Sequence, residues 1–157
     1  MIADNFWKRM KNVQTIHKRL YDSGHGWIIG KFILLLAHTG RKSGTCYATP
    51  LQYEKIDGAY CIAAGRGAKA DWFRNIQADP HVHVQVDRIA FDCIAEPLTD
   101  PEGVADFLEY RLQHHPIMIG LILKLAHRLP MRPNRAQFLE LARSTPVVIL
   151  RPPQEAV

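Results

Sequence analysis

Six consecutive residues from Phe32 to Ala37 are apolar, and the run breaks at Thr39-Gly40-Arg41-Lys42-Ser43-Gly44. A continuous apolar run this short, closed by a turn, reads as a buried strand rather than a helix. The same arrangement follows directly. Cys46 to Tyr53 makes a second strand, Ile56-Asp57-Gly58 turns the chain, and Tyr60 to Ala64 makes a third. Strands joined by such short turns must lie antiparallel, so the chain is committed to a meander.

After Gly65-Arg66-Gly67 the period changes. Asp71 is expected to cap a short helix carrying Trp72, Phe73 and Ile76, which ends before Asp79-Pro80. His81 to Val86 alternates strictly, with Val82, Val84 and Val86 on one face, and Ile89 to Ile94 pairs with it. Thr99-Asp100-Pro101-Glu102 matches a capping box, with threonine as cap and glutamate three residues on. Pro116, Pro130 and Pro133 divide the following segment into short helical pieces, and Thr145 to Leu150 forms a last strand. Ahead of all this, Phe6, Met10, Val13, His17 and Leu20 mark one face of an amphipathic helix. The expected fold is α+β, with about six mostly antiparallel strands closing a small barrel beside flanking helices. One domain covers 1–157: an N-terminal helix at 1–22, a barrel core at 32–98, a helical region at 99–143 and a last strand at 145–151.

The 157 residues are 47% hydrophobic and 22% charged, a globular balance that excludes disorder. The net charge of +5 suits an anionic ligand without demanding nucleic acid. Cys46, Cys61 and Cys93 form no CxxC pair, and their odd number fits a reducing cytoplasm better than a disulfide framework. No run reaches the roughly 18 apolar residues of a spanning helix, and no apolar stretch follows the charged N-terminus as in a signal peptide. A cytoplasmic protein is expected.

Two segments carry chemistry. In Gly40-Arg41-Lys42-Ser43-Gly44 the glycines let backbone N–H groups turn inward as an anion-binding nest, and Arg41 and Lys42 add charge. Considered alone, this is as well explained by a solvated hairpin turn. In Ala63-Ala64-Gly65-Arg66-Gly67 small residues end a strand where a flat ring can lie against the backbone.

Taken together, LLLAHTGRKSGTCYATPLQY and AAGRGAKADWFRNIQADPHVHVQV resemble the deazaflavin-dependent nitroreductase family, split β-barrel proteins related to the FMN-binding split barrels. The likeness covers about residues 33–98 and the final TPVVILRP. It implies coenzyme F420 as cofactor. Thr39, Gly40, Arg41, Lys42, Ser43 and Gly44 would hold its phosphate and glutamate tail. Thr49, Pro50 and Leu51, with Ala63, Ala64, Gly65, Arg66 and Gly67, would contact the deazaflavin ring. Trp72 and Asn75 match the family's W-x-x-N helix. The chain departs from the pattern in having Tyr47 where members often carry another arginine, and Arg66 where lysine is common. It also has no tyrosine after Tyr110.

Because a reduced deazaflavin donates hydride itself, no catalytic triad is required of the protein. His114 and His115 fall in the expected substrate region as candidate proton donors, although two surface histidines at a helix end explain them as well. His81 and His83 share a strand face without a third ligand, so no metal site is expected and both read as solvent-facing. From Tyr110 to Leu139 there is no acid, while Arg111, Lys124, Arg128, Arg132 and Arg135 all fall inside it, Lys124 within an otherwise apolar run from Ile117 to Ala126. That run reads as core or homodimer interface, with a peripheral membrane contact as the other reading. The function implied is hydride transfer from reduced F420 to a small hydrophobic acceptor: a nitro compound, a quinone or an activated alkene. FMN binding in the same barrel, and a non-catalytic cofactor or lipid carrier, are the competing readings.

Overall fold

A computed structural model describes residues 33–154, and the expected N-terminal helix lies outside them. Seven strands form one curled sheet in the order β5-β4-β1-β2-β3-β7-β6, every neighbouring pair antiparallel. The strands are β1 (Ile33–Thr39), β2 (Cys46–Ile56), β3 (Ala59–Ala63), β4 (His81–Val86), β5 (Ile89–Ile94), β6 (Glu96–Leu98) and β7 (Val147–Leu150). The helices are α1 (Asp71–Ala78), α2 (Pro101–His114), α3 (Pro116–His127) and α4 (Arg135–Ala142), with a 3₁₀ turn at Gly67–Lys69. The sequence reading of about six strands lacks β6, a three-residue strand whose Pro97 hides it from any propensity argument. The last strand begins at Val147, two residues later than expected.

Side-chain alternation divides most of the described interior into two cores, and Leu35 and Ala37 of β1 form a small third cluster. On β3, Tyr60 and Ile62 enter one core and Cys61 the other; on β7, Val148 and Leu150 enter the first and Val147 the second. The first core also takes Leu34, Leu36, Val82, Val84, Val86 and the α1 residues Trp72, Phe73 and Ile76. The second core is roofed by Val104, Phe107, Leu108, Ile119, Leu123 and Phe138 of the later helices. Strands buried on both faces read as continuous apolar runs, which is why β1, β3 and β7 stood out in the sequence.

Two expected caps move. α1 is preceded by Ala70 without a side-chain cap, and Asp71 is instead the first helical residue, where its charge still favours the N-terminus. α2 is capped by Asp100, not Thr99; its carboxylate accepts from Gly103 N–H at 3.0 Å. The Asp100 carboxylate takes the cap position directly before Pro101, whose fixed φ suits the first helical residue.

His83 is buried, 5% exposed, not solvent-facing. Its Nδ1 lies 2.7 Å from Asp92 Oδ1 on the paired strand β5, a cross-strand contact that a single-strand pattern does not reveal. His81 is exposed and pairs with Asp79 at 2.9 Å. Among the described residues no group of three metal-ligating side chains occurs. The acid-free segment is partly neutralised from elsewhere. Arg135 reaches Glu102, Asp106 and Glu109 of α2 at 2.6, 2.9 and 3.0 Å, and Arg111 lies 3.5 Å from the buried Glu54.

Candidate functional site

The β1–β2 turn, the outer half of β2 and the end of β3 converge on a cleft of about 930 Å³. The turn is tight by construction. Gly40 N–H donates to Thr45 O at 2.7 Å and Gly44 N–H to Gly40 O at 2.9 Å. A Cβ on Gly40 would come within 2.7 Å of the Tyr47 ring and 2.8 Å of Ser43 Oγ, so any side chain there would have to displace both. The N–H groups expected from the two glycines are therefore spent inside the turn. Those of Lys42 and Ser43, at its crest, have no partner among the described residues, and these two are the ones available to an anion. Opposite, Gly67 has φ +71° and its added Cβ would strike Ser144 O at 2.8 Å, which reserves this corner for glycine.

Of the residues singled out from sequence, Gly40, Arg41, Lys42, Ser43, Thr49, Pro50, Leu51, Ala63, Gly65, Arg66, Trp72 and Asn75 line this cleft. Thr39, Gly44, Ala64 and Gly67 do not; Ala64 is fully buried in the core and Gly67 opens the 3₁₀ turn. His114 and His115 lie at the junction of α2 and α3 and do not line the cleft. His114 Nδ1 donates to Tyr110 O at 2.8 Å, and His115 Nε2 lies 3.2 Å from Glu54 Oε1.

The sequence reading missed His38, Tyr47, Ala48, Lys69, Ala70 and Asp71 as lining residues. Lys69 adds a third cation to Lys42 and Arg66 at the rim. His38 had one legible signal, its polarity at the end of an otherwise apolar strand. It is 4% exposed, and burial lowers its pKa to about 4, so the ring is neutral near pH 7. Arg41 is less available than its charge suggests. Its N–H and Nη1 donate to Asn75 Oδ1 at 3.1 and 2.8 Å, and Nη2 meets Asp71 at 3.2 Å.

The cleft thus has a basic rim at Lys42, Arg66 and Lys69 and an uncharged wall of Ala48, Pro50, Leu51, Ala63 and Gly65. A side chain added at Gly65 would meet nothing within 4 Å, so the wall there opens onto space. An elongated ligand with a flat ring at one end and anionic groups at the other fits this division.

Curled antiparallel sheets with this topology and flanking helices define the split β-barrel class. A solved F420-H2-dependent reductase, FDR-A, shares the fold at 24% identity and TM-score 0.52, over 76% of this chain and 93% of that one. A chain solved as a domain-swapped dimer matches at 22% identity and TM-score 0.54, over 94% and 99%. The family model described as F420H(2)-dependent quinone reductase matches residues 7–116, and the chain belongs to that family. An F420H(2)-dependent quinone reductase of Mycobacterium tuberculosis is 34% identical over 74 residues, 44% of this chain and 50% of that protein. The chain spans about half the length of the curated relatives it matches.

Proposed function

We propose that the protein is an oxidoreductase that binds coenzyme F420 in the cleft and delivers hydride from its reduced form to a quinone-type acceptor. The observation that carries this reading is the cleft itself, with cations and free N–H groups at one end and a flat, uncharged wall at the other. When bound, the reduced deazaflavin supplies the hydride. The protein's part is to bind, orient and exclude water. Lys42, the N–H groups of Lys42 and Ser43, and Arg66 hold the anionic tail by charge-assisted hydrogen bonds. Pro50, Leu51, Ala63 and Gly65 offer the surface against which a ring can lie. Proton delivery is not assigned to His114 or His115, since neither lines the cleft.

The second half of the molecule supports assembly as a homodimer. α3 buries Ile119, Gly120 and Leu123, yet Ile117, Met118, Leu121, Ile122 and Leu125 are exposed on its other sides. Such an apolar stripe favours a second copy over water.

The test is to mix the protein with chemically reduced F420 and a short-chain naphthoquinone and follow the return of oxidised-coenzyme fluorescence. Enzyme-dependent oxidation supports the reading. Absence of coenzyme binding, together with tight binding of FMN, would replace it with the flavin alternative.

A further inference from the structure

The residues of the cleft contain a directional hydrogen-bond chain that starts in the basic turn and ends on β2. Arg41 can only donate, and it does so twice to one oxygen, Asn75 Oδ1. The other end of that amide is therefore Nδ2, which donates to His38 Nδ1 at 3.1 Å. The buried ring is neutral, so it carries one proton, and an accepting Nδ1 leaves that proton on Nε2. Nε2–H then donates to Thr49 Oγ1 at 2.8 Å. With its oxygen used as an acceptor, the Thr49 hydroxyl still has its own hydrogen to give, and no acceptor among the described residues takes it. Thr49 lines the cleft.

We propose that Arg41, Asn75 and His38 form a relay that orients Thr49 as a hydrogen-bond donor into the cleft, toward a carbonyl oxygen of the bound ring. The ligand is then favoured for an acceptor at this point, since His38 already occupies one lone pair of the hydroxyl while its hydrogen stays available. His38 and Asn75 act as positioning residues: each holds the next group in one donor–acceptor sense, and both are buried where a wrong sense would leave a polar atom unsatisfied. The relay also couples the two ends of the cleft, since its first member lies in the turn assigned to the anionic tail. The choice of ring rests on the function proposed above; the direction of the chain does not.

Two measurements test it. In the ligand-free protein, the ¹⁵N NMR shifts of the His38 ring report which nitrogen holds the proton. The Nε2–H form is expected, with both tautomers appearing in Asn75→Ala. In fluorescence titrations with oxidised F420, Thr49→Val keeps the side-chain shape and removes the hydroxyl, and should raise Kd about three- to tenfold, the worth of one hydrogen bond. Thr49→Ser should restore binding to within about twofold. An Nδ1–H ring, or equal affinity in Thr49→Val, overturns the proposal. Wild-type protein that did not bind F420 would overturn the functional reading instead, while the His38 tautomer would still decide the direction of the relay.

Discussion

The main-chain N–H of Arg41 and its Nη1 converge on a single atom, Asn75 Oδ1, at 3.1 and 2.8 Å. One side chain of α1 thereby clamps the turn between β1 and β2. Replacement of Asn75 by alanine leaves the Arg41 donors and the buried His38 Nδ1 unsatisfied. A loss of about 2–3 kcal/mol is expected, with the denaturant slope unchanged and only the midpoint lowered.

Because Arg41 is committed to Asn75 and Asp71, charge reversal at the exposed Lys42 and Arg66 is the cleaner way to weaken tail binding. Lys42→Glu combined with Arg66→Glu should reduce F420 affinity at least tenfold in a folded protein, as charge-assisted contacts contribute about 1.5–3 kcal/mol each. Arg41→Glu should in addition lower the melting temperature. Equal melting temperatures for the two reversals would show that the clamp is not structural.

The apolar segment of α3 separates into two behaviours. Leu123 is 3% exposed and Leu121 is 44% exposed. Leu123→Glu should unfold the protein, since a buried unpaired carboxylate is costly. Leu121→Glu should fold, and if the stripe joins two copies it should shift the light-scattering mass from dimer to monomer at micromolar concentration.

His38 gives stability a pH dependence. Its pKa falls from 6.5 to about 4 on folding, so between these values the unfolded chain binds more protons than the folded one. Stability from this group is complete above pH 6.5 and declines as pH falls toward 4, with a slope of up to about 1.4 kcal/mol per pH unit. The variant His38→Gln should lack that limb when unfolding free energies are compared from pH 7 to pH 4.

Most of the strands were legible because their causes are local. β1, β3 and β7 are short apolar runs closed by turn residues. The Asn134 capping box of α4, with Asn134 Oδ1 and Gln137 Oε1 each accepting at 2.9 Å, is equally local but was not among the sequence expectations. β6 was not legible, because a three-residue strand containing proline has no periodicity to detect and exists only through its pairing with β7.

The amino-acid sequence by itself determined the meander, its turns and the two segments that line the cleft, since apolar period and glycine position act over a few residues. It could not determine that His83 is buried against Asp92, or that Arg41 is held by Asn75 rather than left free. Nor could it show that His38 belongs to the cleft. His38 and Asn75 are 37 positions apart, and their hydrogen bond forms only when α1 packs across β1. Hydrogen-bond direction in a buried network follows from which donors and acceptors meet in space, and that meeting is a property of the tertiary fold.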